Sequence, residues 1–154
     1  MNHQRGLFDY DYRLEQLSKH GDPLEELDEI VNWNIFRPIL NKCFKKKKKG
    51  PGGRPPFDYV TMFKIIVLQR LYNLSDNQME YQIKDRLSFM RFLGFDFKDK
   101  VPDEKTIWHF RECLNKGNVV KKLFNKFNSF LENQGIIAKE GSIVDASFVH
   151  VPTQ

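Results

Sequence analysis

Three groups of residues carry side chains suited to chemistry or to holding a charged partner. The first is the run Lys45, Lys46, Lys47, Lys48 and Lys49 followed by Arg54, inside a stretch from Arg37 to Arg54 that contains no acid. Such a block repels itself and attracts polyanions, either nucleic acid or an anionic membrane surface. Within it, Gly53-Arg54-Pro55 has the form of a minor-groove hook, in which an arginine on an extended, proline-held segment enters a narrow A·T groove. The arginine that usually precedes this motif is missing, and a plain phosphate-seeking linker accounts for the same residues. The second group lies in DEKTIWHFRECL, from Asp103 to Leu114. Helical spacing turns Ile107, Phe110 and Leu114 inward and leaves Lys105, Trp108, His109 and Glu112 on the opposite side. That outer face combines donors, an acceptor and an aromatic, as a DNA-reading helix requires, although a surface helix with solvated charges and a half-buried tryptophan has the same composition. The third is Asp145 in GSIVDAS, a lone acid in a run of β-formers. On an edge strand such an acid ordinarily faces water.

Other chemistries find little support. Cys43 and Cys113 have no CxxC spacing and no accompanying histidine pattern, so they read as reduced thiols used in packing rather than as a zinc site or a disulfide. The N-terminal MNHQRGLFDYDYR lacks the apolar run of a secretory signal, and a cytoplasmic location follows as the default expectation. The 154 residues, 40% of them apolar, suffice for one domain and a real core. The net charge of +5 is segregated: acids dominate from Met1 to Asn32, and bases from Arg37 to Arg54.

The elements that must position these groups are mainly helical. FDYVTMFKIIVLQRLYNL, from Phe57 to Leu74, is apolar nearly all round, with Asp58 as its N-cap, so it must be covered on several sides. Lys64 and Arg70 interrupt it well short of the roughly 18 apolar residues of a membrane span. Before it, Met1 to Gly21 shows little periodicity and reads as a loosely held arm. Asp22 and Pro23 start a helix with Leu24, Leu27 and Val31 on one stripe, and a second helix runs from about Asn34 to Phe44. KKKKKGPGGRPP, residues 45–56, breaks the chain as a basic Gly/Pro linker.

After the central helix, Ser75 and Gln78 form a capping box with Leu74 and Met79 as its hydrophobic staple. The helix they open continues through Met79, Ile83 and Leu87, and Ser88 restarts a short one that Gly94 ends. Across a charged loop, the Asp103 helix is placed to complete a helix-turn-helix-like unit. Asn118 is expected to cap a last helix bearing Val120, Leu123, Phe124, Phe127, Phe130 and Leu131 inward, with Gly135 as its stop. From Ile136 the pattern changes to a short β hairpin. The predicted organisation is therefore an N-terminal arm and helices at 1–44, the linker at 45–56, a helical DNA-binding domain at 57–135, and a β segment at 136–154.

GRPPFDYVTMFKIIVLQRLYNLSDNQMEYQIKDRLSFMRFLGFD, then VPDEKTIWHFRECL, then GSIVDASFVHVP resemble, in that order, the N-terminal part of the insertion-sequence-five type of DDE transposases. The resemblance implies an all-helical domain that binds transposon terminal inverted repeats, joined to a ribonuclease-H-like domain that cuts and joins DNA. In that family three carboxylates hold two divalent ions, usually Mg²⁺, and Asp145 matches the first of them. One carboxylate cannot fix two ions about 3.5–4 Å apart. Because Gln154 follows only nine residues later, the expectation is a truncated or split reading frame: a DNA-binding portion that is catalytically incomplete and binds no metal ion alone. The alternatives are a helical module that self-associates or pairs with, and inhibits, a full-length transposase through the phenylalanine stripe of Val120 to Leu131, or a decayed remnant.

Overall fold

The central position expected for the Phe57–Leu74 stretch has a direct physical expression. In the computed structural model, which describes residues 6–45 and 57–136, nine of the fourteen residues of the helix Tyr59–Tyr72 are buried. The Asp58 carboxylate caps it by accepting the Thr61 amide at 3.1 Å. In chain order the helices are α1 (Asp9–His20), α2 (Pro23–Ile30), a 3-10 turn (Trp33–Phe36), α3 (Arg37–Phe44), α4 (Tyr59–Tyr72), α5 (Asp76–Asp85), α6 (Leu87–Leu93), α7 (Glu104–Lys116) and α8 (Val120–Asn133). The 3-10 turn, α3, α5, α6 and α7 all pack on α4, which is why that helix has no wide polar face. Among the described residues there is no strand, and no helix is long and apolar enough to cross a membrane.

Helices on both sides of residues 46–56 share one core. Its densest part is a set of aromatic rings. Phe36 is fully buried, with its ring 4.8 Å from Phe63 and 6.0 Å from Phe127. Trp33 lies 5.5 Å from both Phe92 and Phe127, and Phe63 meets Phe124 at 5.8 Å. Tilted and edge-on pairs at such distances add about 0.5–1.5 kcal/mol each beyond the area they bury. The phenylalanine stripe of α8 is thus spent on this core: Leu123, Phe124, Phe127 and Leu131 are all buried. That use removes the stripe as a free surface for pairing with another transposase chain.

Polar residues inside this packing are paired across elements. Lys64, on α4, places its ammonium 2.6 Å from Asp28 and 2.9 Å from the Phe92 carbonyl, with the Trp33 and Phe92 rings about it at 5.2 and 4.8 Å. Arg91, on α6, donates to Asp22 at 2.6 Å and lies 3.4 Å from Glu25. The acids that crowd the start of the chain therefore serve partly as internal counter-charges to bases some thirty to seventy positions later.

Residues 9–20 are not an irregular arm. They form α1, which carries no buried residue and is fixed instead by its edge. Tyr10 sits edge-on to Phe97 at 4.8 Å, and Arg91 donates to the Leu14 carbonyl and the Ser18 hydroxyl. Sparse apolar contacts explain the missing periodicity, because the anchor is a hydrogen-bonded arginine distant in sequence.

The Ser75–Gln78 capping box forms with both of its hydrogen bonds, at 3.2 and 2.9 Å. Leu87 belongs to α6 rather than to α5. Asn118 does not cap α8. It sits at φ 53 and ends α7, with the Val119 amide reaching back to the Leu114 carbonyl at 3.0 Å; the N-cap of α8 is Val119, with no side-chain bond. Asn73, Gly94 and Gly135 end α4, α6 and α8 with the same left-handed turn and the same long reach-back bond. The β hairpin expected from Ile136 lies, beyond that residue, outside the described residues.

Candidate nucleic-acid interface

Helix α7 is held to α5 and α4 by polar contacts that fix its orientation. The Asp103 carboxylate accepts the Thr106 amide at 2.7 Å, and Glu80 of α5 accepts the Glu104 amide at 2.9 Å, so two acids serve its first turn. Half-way along, Arg111 forks onto both oxygens of Asp76 at 2.5 and 2.7 Å, while Gln69 of α4 donates to the same carboxylate at 2.8 Å. The apolar side of the helix, Ile107, Phe110 and Leu114, is buried as its spacing predicted.

These contacts are also electrostatic. The Arg111 guanidinium holds the Asp76 carboxyl below the usual aspartate range. The Glu104 amide does the same for Glu80, and Thr106 does so for Asp103. A carboxyl whose folded pKa is depressed contributes stability that is present above its ordinary value and lost as pH falls through the folded one. Stability should therefore drop as pH falls below about 4. Asp76→Asn should lower stability at pH 7 and make the acid branch shallower, as read by urea midpoints between pH 6 and pH 3. An unchanged acid branch would show that Asp76 does not contribute.

The opposite side of α7 is open. Lys105, Trp108 and His109 are exposed, Trp108 by 51%, and Glu112 is half-buried, accepting from the Asn115 amide at 3.4 Å. His109 Nε2 lies 3.7 Å from Cys113 Sγ. Cys43, on α3, points its thiol at the Cys113 carbonyl oxygen at 3.7 Å, so the two cysteines, seventy positions apart, meet where α3 touches α7. Gly117 follows at that crossing, where an added Cβ would come within 3.2 Å of Cys43 Sγ.

The residue that precedes the basic segment packs on this helix. Phe44, immediately before Lys45, stacks on Phe110 of α7 at 4.9 Å and on Tyr59, at the start of α4, at 4.6 Å. Phe44 thus lies between α7 and the first residue of α4. Lys45 is exposed at the end of α3, whereas Lys46, Lys47, Lys48, Lys49 and Arg54 lie outside the described residues, as does Asp145. Among the described residues, no cluster of histidine, cysteine, aspartate and glutamate side chains is suited to hold a metal ion.

A family model described as a transposase domain (DUF772) matches residues 12–113, two thirds of the chain. The chain belongs to this transposase domain family. The matched span starts within α1 and ends within α7, so the transposase domain includes the aromatic rings contributed by Trp33, Phe36, Phe63 and Phe92 and, on α7, Lys105, Trp108, His109 and Glu112. Transposition is the role that this membership supports. No solved structure matches the chain.

Two arginines of the transposase domain escaped the reading of the sequence. Arg111, inside the recognised helix, is the fork that ties α7 to α5. Arg70, at the end of α4, has its guanidinium 4.4 Å from the Phe124 ring, and burial and the neighbouring Arg111 depress its pKa. No local pattern announces either, because Asp76 and Phe124 become neighbours only through the tertiary fold.

Proposed function

We propose that this chain is the DNA-binding portion of a transposase, that it takes the terminal inverted repeats of its element, and that α7 presents the base-reading surface. The observation that carries this reading is the exposed stripe of Lys105, Trp108, His109 and Glu112 on a helix whose other side is locked by Arg111, Asp76, Glu80 and the core. Donors held on a rigid helix can meet the donor and acceptor pattern of the major groove without first being ordered. Lys45 to Lys49 and Arg54 supply the sequence-independent part by capturing phosphates, a role favoured by the packing of Phe44, immediately before Lys45, on Phe110 of α7.

The likeness to insertion-sequence-five type enzymes adds a catalytic half to this scheme. In it Asp145 is the first of three carboxylates for Mg²⁺, and the later Asp and Glu come from outside these 154 residues. As Asp145 lies outside the described residues, no step of DNA cleavage is derived through it. Pairing with a full-length transposase on one inverted repeat is compatible with the same surface.

Base reading and phosphate capture separate experimentally. Replacing Lys105 and His109 with alanine should reduce the preference for terminal-repeat DNA over random DNA by about 1–3 kcal/mol per lost base contact. Replacing Lys45 to Lys49 should weaken both DNAs alike and flatten the dependence of affinity on salt. Both effects can be read from fluorescence-anisotropy titrations at several salt concentrations. Equal loss on the two DNAs in the Lys105/His109 variant would remove α7 from the reading surface.

A further inference from the structure

The stripe on α7 does not stop at Glu112. Asn115 follows at the next position on the same face, and the Asn115 side chain is shared between Glu112 and an open cleft of about 330 Å³. The cleft lies between the end of α4, the end of α7 and the start of α8. Its polar lining consists of Arg70, Asn115, Asn118, Lys121 and Asn125, with Phe124 against the guanidinium, and no acid among them.

Two of these side chains are cations, and no acid of the lining matches them. Arg37, Arg91 and Arg111 each face a carboxylate, as do Lys19, Lys64 and Lys84. Arg70 and Lys121 face none among the described residues. Arg111 stands near Arg70, but its charge is engaged by Asp76. Partial burial of Arg70 against Phe124, with a second cation and three amides around it, leaves a concave cluster rich in donors and without a carboxylate. A tetrahedral oxyanion is the ligand chemistry that such a cluster satisfies.

We infer that the Arg70–Lys121 cleft holds a backbone phosphate of the DNA that α7 reads. This deepens the proposed function and rests on it. From Lys105 to Asn115 the helix advances about 15 Å, and the major groove is about 12 Å wide. A helix seated there brings its C-terminal end to a phosphate wall, where the cleft takes one strand and sets the register of the stripe. Phe124 holds the guanidinium over its ring, and the asparagine amides donate to the remaining phosphate oxygens. Because a phosphate contact carries no sequence information, the effect must be the same on any duplex.

The full chain would be titrated with a random-sequence DNA duplex over a range of salt concentrations, using Arg70→Gln, Lys121→Gln and the double variant. Circular dichroism would check folding, and the exposed Lys121 provides a variant that leaves the core untouched. Each single change should lower the slope of log affinity against log salt by about 1, and the double change by about 2. A second titration would follow the side-chain amide resonances of Asn115, Asn118 and Asn125 with inorganic phosphate. Reduced slopes, with amide shifts on adding duplex to the unaltered chain, support the inference. Slopes unchanged in all three folded variants overturn it while leaving DNA binding by α7 intact. Amide shifts with inorganic phosphate alone, and unchanged slopes with duplex, also overturn it, in favour of a site for a free phosphate. An unaltered chain that binds no duplex overturns the proposed function and this inference together.

Discussion

Phe36→Ala is expected to cost about 3–5 kcal/mol of folding stability, a large share of the roughly 5–15 kcal/mol that holds a domain of this size. Phe36 is fully buried, and its ring touches those of Trp33, Phe63 and Phe127, which come from the 3-10 turn, α4 and α8. Removing it leaves a void bounded by three rigid rings. None of them can collapse into the void without giving up a contact of its own, so the cavity term adds to the lost transfer energy. Urea unfolding should show a lower midpoint with an unchanged slope if the native fold survives. A cost below about 1.5 kcal/mol would mean that the rings repack freely and that this part of the core is less specific than its geometry implies.

Arg91→Met should be nearly as damaging, at about 3 kcal/mol. Its guanidinium holds the Asp22 carboxylate, itself only 5% exposed, and also reaches Glu25, the Leu14 carbonyl and the Ser18 hydroxyl. Methionine retains much of the side-chain volume but leaves Asp22 as an uncompensated charge in the core and removes the main anchor of α1. Two readouts separate these effects. Asp22→Asn in the Arg91→Met background should recover part of the loss, because the amide oxygen can still accept the Leu24 amide at the start of α2 while the orphan charge is gone. Hydrogen exchange in α1 should rise in both variants, because the arginine bonds to Leu14 and Ser18 are absent from each. If Arg91→Met costs less than about 1 kcal/mol, the pair is effectively screened by solvent.

What could be read from the sequence was decided by whether a residue's partner lay within one helical turn or one apolar stripe. The all-round apolar pattern of α4, the Ser75–Gln78 box and the two faces of α7 are local in this sense, and each appears in the fold as its spacing requires. Asn118 failed because asparagine is favoured both at N-caps and in the left-handed turn that ends a helix. The reach of Val119 to Leu114 decided for the latter. Helix α1 was missed because its fastening is Arg91, 77 positions from Leu14. The stripe of Lys105, Trp108, His109 and Glu112 was legible, but the arginine cleft at its end was not. Gln69-Arg70 in an apolar helix looks like a strip of surface until α7 and α8 close over it.

The aromatic set has a consequence for how the protein is made. Trp33 and Phe36 are synthesised early, yet Phe124 and Phe127, which cover Phe63 and Trp33, arrive some ninety residues after them. A nascent chain carrying only α1 to α7 would hold an uncovered trough of rings, a surface of the kind that chaperones retain and that aggregates when crowded. Completion of the core therefore waits for α8 to leave the ribosome, and the helix beyond the matched transposase domain acts as the last closure of that domain.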